Sequence, residues 1–250
     1  MNNFILYDKV FKSKYLFIVL FLLLGLKNHG FAQISVDTYF GVGQSLVSDG
    51  VVGDFSTAIN GNYAGFSASA GGLLTLSNVQ KNLFSAYSLA LTKNIKISHR
   101  YLNIGSFYVW RPFSVDLREV NIGLLADIKT RHFGYALGLN SRKYSFSNAA
   151  KQKYNLNYNI SVTEPLNLMY RFSYFNSINR LLLFDGSITN YDKFTILQET
   201  NPMFIAKLSR GISHNMQIYS ELCYMQSGFF NVHVGYFGFL FRGGMIWTIN

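Results

Sequence analysis

The chain has 250 residues, a net charge of +10 and 17% aromatic residues, but only 14% charged residues. Soluble domains carry about 25% charged residues, and a soluble protein so poor in charge would expose large apolar patches. The composition therefore argues against an ordinary soluble domain. The basic residues are scattered and accompany no recognition motif, so nucleic acid is excluded as a partner.

Residues 1–32 are predicted to be a secretory signal peptide. Three lysines precede an apolar run at 15–26, which is shorter than the about 20 residues of a membrane-spanning helix. Gly30 and Ala32 place small residues where a signal peptidase would cut after Ala32. We expect residues 33–250 to form one exported domain, with an uncleaved membrane anchor as the alternative.

Most of the exported part alternates between apolar and polar residues, which predicts strands. The first predicted strand places Ile34, Val36, Thr38, Phe40 and Val42 on one face. In chain order the predicted strands are 34–44, a short one at 54–60, 63–76, 83–92, 95–110, 119–128, 132–146, 154–163, 167–177, 179–188, 193–198, 203–209, 215–225, and 229–241 running into 245–249. We expect a two-residue hairpin turn at 93–94 and a bulge at 103–105.

The stretch 154–175, YNLNYNISVTEPLNLMYRFSYF, gives the clearest alternation. Residues 154–163 match the about 9–11 residues of a tilted strand that crosses a membrane, and 164–167 is predicted to be a tight turn. We expect the apolar set to face lipid and the asparagines to face inward. The apolar set is Tyr154, Leu156, Tyr158, Ile160 and Val162, and the asparagines are Asn155, Asn157 and Asn159.

These features together predict an all-β fold, an antiparallel transmembrane β-barrel of about 12 strands, within a range of 10 to 14. Backbone groups in lipid must all be paired, so an exported chain with strands and no apolar helix must close into a barrel. Short connections at 93–94, 129–131 and 164–167 alternate with longer ones, which is typical of barrels in the outer membrane of Gram-negative bacteria. A soluble exported β-protein is the alternative fold.

The stretch NGNYAG at 60–65 resembles the NPAYAG-like stretch near the start of the PorP/SprF family. FadL-like transporters carry a related element. Gly61 and Asn62 replace the Pro and Ala of that element. The resemblance is to outer-membrane proteins of the Bacteroidota, and PorP/SprF barrels are associated with type IX secretion and gliding. It implies a barrel in a secretion or surface apparatus and transfers no functional residue.

The sequence predicts no catalytic, cofactor or metal site. Ser98 precedes His99 and Ser213 precedes His214, but adjacent strand residues point to opposite faces and cannot form a catalytic pair. The single cysteine, Cys223, is interpreted as a small packing residue. We therefore predict that the protein is not an enzyme, with a lipid-modifying outer-membrane enzyme as the remaining alternative of that class.

A polar network inside the barrel is the predicted site. The alternation within the later strands places Arg171, Lys207, Glu221 and His233 on the inward face, where neighbouring strands could bring them together. Charges in a narrow lumen usually pair, because an unpaired buried charge costs several kcal/mol. The network either fills the barrel or lines a solute path.

The leading functional hypothesis is a narrow channel or a membrane component of a secretion or surface apparatus. A non-conducting structural or adhesion barrel is the alternative. The expected partners are outer-membrane lipid and lipopolysaccharide, with other apparatus proteins if the resemblance holds. Basic residues predicted in loops, Arg142, Lys143, Lys151 and Lys153, are candidates for contact with lipopolysaccharide. An excess of inward Lys and Arg would give a slight preference for anions.

Overall fold

The computed structural model describes residues 33–45, 51–77, 86–97, 100–112, 116–155, 161–179, 181–193, 198–225 and 237–249. They form a closed antiparallel barrel in which each strand pairs with the next and the last pairs with the first. The twelve strands are β1 (Gln33–Ser45), β2 (Val51–Tyr63), β3 (Phe66–Ser77), β4 (Ala86–Ile97), β5 (Arg100–Pro112), β6 (Leu117–Lys129), β7 (Phe133–Phe146), β8 (Ser161–Ser177), β9 (Leu182–Tyr191), β10 (Gln198–Ser213), β11 (Met216–Met225) and β12 (Phe237–Ile249). The predicted all-β barrel of about 12 strands is confirmed.

The pairing of β1 with β12 closes the barrel. Their register runs from Ile34 opposite Ile249 to Gly43 opposite Leu240, with one irregularity beyond Gly43. Closure leaves no strand edge exposed, which is the condition for a sheet that sits in lipid. No helix among the described residues is long and apolar enough to cross a membrane.

The two ends of the barrel differ in their connections. At the end that holds Gln33 and Ile249, β2 joins β3 through Ala64 and Gly65, and β10 joins β11 through 214–215. We call this the short-turn end and the opposite one the long-loop end. Gly65 has φ of 77°, a conformation in the left-handed region that glycine adopts readily.

Helix α1 (Asn148–Lys153) lies in the long connection between β7 and β8. The Ser147 side chain caps it by accepting a hydrogen bond from the Ala150 backbone N–H. Lys153 Nζ lies 3.7 Å from an Asp116 carboxylate oxygen. The hydrogen bond with Tyr154 and the charge of Asp116 raise the pKa of Lys153. These contacts tie the loop to the residue that precedes β6.

The barrel wall has one apolar and one polar face because strand side chains alternate. On the outer face, Leu124 is 62% exposed, Leu137 56% and Phe241 56%; on the inner face, Asn121 and Arg242 are 0% and 2% exposed. The exposed apolar positions would contact lipid and the inner ones fill the lumen. Phe40 and Val42 are also exposed, in agreement with the face predicted for the first strand.

The predicted turn at 93–94 and the predicted bulge at 103–105 are both wrong. Lys93 and Asn94 lie inside β4, opposite Ile104 and Asn103, and the β4–β5 register has no break. A lysine is tolerated there because its Nζ lies 3.7 Å from the centre of the Phe66 ring. The apparent change of face in β5 instead reflects apolar side chains that point into the lumen.

The predicted turn at 164–167 is also wrong, since β8 runs straight through it. The β7–β8 register shifts between Asn140 and Arg142, so Pro165 lies in a bulge where no ladder donor is required. The bulge reverses the alternation, and Val162 pairs with Tyr144 on the face of Glu164 rather than on the lipid side. Tyr154 and Asn155 follow α1 and lie outside the strand.

Several other predictions differ from the structure or lie outside the described residues. The short strand at 54–60 is the full strand β2. Of the predicted strand at 193–198, Lys193 lies in a turn, Gln198 begins β10, and 194–197 lie outside the described residues. Residues 1–32, 156–160 and 231–236 lie outside the described part, so the predicted signal peptide and the assignments of Leu156, Asn157, Tyr158, Asn159, Ile160 and His233 stay predictions.

Because the exposed apolar face is assigned to lipid, the cost of placing a charge on it should depend on how deep the position lies in the bilayer. Arg in place of Leu137, near the middle of β7, should cost about 2–4 kcal/mol of unfolding free energy, whereas Arg in place of Ile97, at the short-turn end of β4, should cost about 0–1 kcal/mol. Urea unfolding in lipid vesicles measures both. Equal costs at the two positions would contradict the assignment.

Candidate functional site

The lumen is the candidate site because it collects the buried charged side chains. Glu119, Arg142, Glu221 and Arg242 are each no more than 5% exposed. Taking such charges out of water costs several kcal/mol per ion unless partners compensate. The arrangement of these partners therefore determines what the lumen can admit.

Arg242 on β12 is the centre of one group of paired charges. Its Nη1 lies 3.0 Å from Glu221 Oε1, and its Nη2 bonds to Asp192 Oδ2. The guanidinium lies 4.7 Å from the centre of the Tyr39 ring, and the Cys223 thiol donates to Glu221 Oε1 at 3.2 Å. Asp192 directly follows β9, which is three strands away from β12 in the barrel. Its contact with Arg242 therefore crosses the lumen.

Tyr219 is the centre of a second group, closer to the short-turn end. Its hydroxyl donates to Asp37 Oδ1 at 2.8 Å, and Lys207 Nζ lies 3.5 Å from the centre of its ring. The ring covers Gly244, where a Cβ would lie 2.3 Å from the Tyr219 Cζ. One aromatic side chain thus links β1, β10, β11 and β12 across the interior.

A third group surrounds Arg142 near the long-loop end. Its Nε lies 3.3 Å from both Glu119 Oε1 and Asn121 Oδ1, and its Nη1 donates to the Tyr144 hydroxyl at 3.2 Å. Glu164 Oε2 lies 3.9 Å from Nη1. Because Arg142 is 3% exposed, its predicted contact with lipopolysaccharide is wrong.

Arg171 lies on the inner face of β8. Its Nε donates to Ser173 Oγ at 3.1 Å and its Nη2 lies 3.8 Å from Asp185 Oδ2. Asp185 is also the Cα partner of Lys207 on β10. These contacts place Arg171 and Lys207 on either side of one carboxylate.

Apolar side chains from eight strands meet inside the same lumen. The cluster consists of Tyr39, Leu73, Ala86, Phe107, Val109, Ala136, Met169, Tyr191 and Tyr219. Val109 and Met169 are 0% exposed, and Phe107 occupies the space over Gly123, where a Cβ would lie 2.4 Å from the Phe107 Cζ. Among the described residues, the lumen is filled by side chains.

The structure places three of the four predicted network residues in the lumen. Lys207 and Glu221 are Cα partners on neighbouring strands, but the Glu221 carboxylate hydrogen-bonds to Arg242 and Cys223. Arg171 lies across β9 from Lys207, and His233 lies outside the described residues. How these residues act together stays a prediction.

Inward cations and anions are equal in number on the described strands, so these residues show no excess of cations, and the anion preference stays a prediction. The cations that the strand register turns inward are Lys96, Arg111, Lys129, Arg142, Arg171, Lys207 and Arg242, and the anions are Asp37, Asp54, Glu119, Asp127, Glu164, Asp185 and Glu221. Positive and negative groups are matched, which favours neither sign of solute.

Sequence reasoning missed several residues of the site, including Arg242 and Asp192 as well as Asp37, Glu119 and Asp185. The predicted strand at 229–241 runs into 245–249, and the structure turns Leu240 and Arg242 inward while Phe239 and Phe241 face outward. The alternation that places His233 inward would place Arg242 on the outer face, so the sequence pattern does not identify it. Asp192 has no signal either, because it reaches Arg242 through a loop.

The described residues contain no cluster of three or more His, Cys, Asp or Glu that could hold a metal ion. Ser213 and His214 lie at the turn between β10 and β11, where the Ser213 hydroxyl accepts a hydrogen bond from the Asn215 N–H at 3.4 Å. Ser98 and His99 lie outside the described residues.

The contact between Tyr219 and Gly244 makes a prediction for stability. Ala in place of Gly244 should displace the ring and cost about 1–3 kcal/mol of unfolding free energy. Ala in place of the neighbouring Gly243, which faces outward with no atom within 4 Å of a new Cβ, is the matched control. Denaturant unfolding of both variants measures the difference, and an equal effect would contradict the lumen packing.

The Arg242 group makes a second prediction. Gln in place of Glu221 removes one anion from a buried cation, and breaking such a pair typically costs about 3–5 kcal/mol. Gln in place of the half-buried Glu164, whose oxygen is 3.9 Å from Arg142, should cost less. Thermal unfolding in detergent compares the two, and equal stabilities would show that Asp192 alone satisfies Arg242.

No protein-family model matches the chain, and no curated protein matches it. Among solved structures, the chain is similar to the KdgM porin, with TM-score 0.51, 12% identity, and coverage of 86% of this chain and 99% of that one. It is also similar to the NanC porin, with TM-score 0.50, 10% identity, and coverage of 86% and 98%. At these identities the likeness establishes the barrel fold alone. The resemblance to PorP/SprF or FadL-like proteins is not shown.

Proposed function

We propose that this protein is an outer-membrane β-barrel that forms a narrow passage for small solutes and ions. The observation that carries the proposal is the lumen itself, where paired charges line a wall that apolar side chains from eight strands constrict. Barrels of 16–18 strands leave an aqueous channel, whereas about eight strands are filled by side chains. Twelve strands with this filling favour low conductance at most.

An outer-membrane location is supported by the outer wall. Its exposed apolar residues, among them Leu124 and Leu137, are suited to lipid. Outer-membrane barrels have short periplasmic turns and longer extracellular loops, so the short-turn end would face the periplasm. Helix α1, with Lys151 and Lys153, would then lie at the outer surface, where basic residues can meet anionic lipopolysaccharide.

A non-conducting structural barrel is the second candidate, and the complete burial of Val109 and Met169 favours it. A role in a secretion or surface apparatus rests on NGNYAG at 60–65, which the fold places at the turn between β2 and β3. No other feature of the described residues supports that role.

The location can be tested by cell fractionation. The mature protein should separate with the outer membrane and run faster on gels before boiling than after it, because a closed barrel resists detergent. Recovery as a soluble periplasmic protein would overturn the proposal.

The passage can be tested in planar bilayers. The wild type should show small conductance with weak selectivity, and the double variant Phe107→Ala/Met169→Ala should conduct more, because it removes bulk from the constriction. The lipid-facing variant Leu137→Ala is the control and should match the wild type. Silence of an inserted wild type and of the double variant would favour the structural barrel instead.

A further inference from the structure

Two cavities adjoin on the barrel surface at and above the short-turn end, and both are lined by Phe133. The lower one, the basic pocket, has a volume of about 380 Å³ and is lined by Arg100, Lys129, Thr130, Arg131, His132 and Phe133. The upper one, the apolar groove, has a volume of about 500 Å³ and includes Phe172, Tyr174, Gly186, Ile188, Phe204, Ala206, Leu222 and Tyr224.

The basic pocket is positively charged and its lining contains no carboxylate. Arg100, Lys129, Arg131 and His132 are all exposed, and no ion pair between these residues and a carboxylate is found among the described residues. The cations surround a turn of fixed shape, in which the Thr130 and Phe133 backbones bond to each other at 2.7 Å. Such a pocket is suited to a phosphate group.

Aromatic residues hold two of the basic side chains in place. Lys129 lies at the lumen-side rim of the pocket, and its Nζ is 4.1 Å from the centre of the Phe175 ring, which is on the inward face with Asp185. His132 Nδ1 lies 3.3 Å from the Phe175 carbonyl oxygen. The pocket is therefore partly organised before any anion arrives, which lowers the entropy cost of binding.

The apolar groove exists because small residues interrupt a wall of large ones. Gly186 on β9 is the partner of Tyr174 on β8 and of Ala206 on β10, and all three face outward. Phe172 and Phe204 are 49% and 44% exposed on either side. The result is a trough across the lipid-facing wall that begins at Phe133.

We propose that one anionic phospholipid of the periplasmic leaflet binds here, with its phosphate in the basic pocket and an acyl chain in the apolar groove. The proposal rests on the proposed membrane location, since only an inserted barrel would present the groove to lipid. A free anion would use the basic pocket alone, whereas a phospholipid uses both cavities. Phe133 and Tyr174, whose ring centres are 5.6 Å apart, lie where aromatic belts meet headgroups.

The test is native mass spectrometry of the full barrel after extraction from vesicles of phosphatidylcholine and phosphatidylglycerol. The wild type should retain phosphatidylglycerol in preference. The double variant Arg100→Gln/Arg131→Gln should retain at least about tenfold less phosphatidylglycerol, because each basic residue near an anionic lipid contributes to its binding. Arg210→Gln, which removes an exposed cation outside the pocket at the same end, should retain it as the wild type does.

A second pair of variants tests the groove. Leu in place of Gly186 would fill it and should also reduce retention, whereas Leu in place of Gly243, an outward position on β12 with open space around it, should not. Glycerol phosphate, which has the headgroup phosphate without chains, should not compete. Unchanged retention in Gly186→Leu, or full competition by glycerol phosphate, would overturn the lipid site in favour of an anion pocket. Faster gel mobility before boiling shows that a variant is folded and inserted. A variant that is inserted but retains no lipid would contradict the lipid site alone, and the proposed function would be unaffected.

Discussion

The structure depends on the hydrogen bonds between β1 and β12. Without that pair, both strands would present unpaired N–H and C=O groups, each of which costs several kcal/mol in hydrocarbon. Closure fixes the register of every strand in turn, and a shift of one residue would exchange the lipid face for the lumen face. The positions of Arg242 and Phe241, one buried and one exposed, therefore follow from a pairing at the seam of the barrel.

Closure also limits the interior, and glycine makes room for what fills it. Phe107 and Tyr219 each lie over a glycine on a neighbouring strand, where even a methyl group would collide with the ring. The buried charges find partners in the remaining space, as around Arg142 and Arg242. A lumen that is packed and ion-paired at once resists water, which is why the proposed passage is narrow.

Much of the architecture could be predicted from the sequence, because alternation and composition report directly on a two-faced wall. The strand number followed from this pattern, as did the shared face of Phe40 and Val42 on β1. The turns at 93–94 and 164–167 could not be read correctly, because a lysine stacked on Phe66 and a proline in a bulge mimic breaks in a strand. The contact of Asp192 with Arg242 depends on the path of a loop, which local sequence does not encode.

The two faces of one strand connect the lumen to the apolar groove. Asp185 points inward, between Arg171 and Lys207, and its neighbour Gly186 points outward to the floor of the groove. Because Gly186 has no side chain, the outer surface is depressed at this point, beside the Phe184 ring. Alternation along β9 thus lets one residue form the inward ion pairs while its neighbour shapes the outer surface, where we propose that lipid binds.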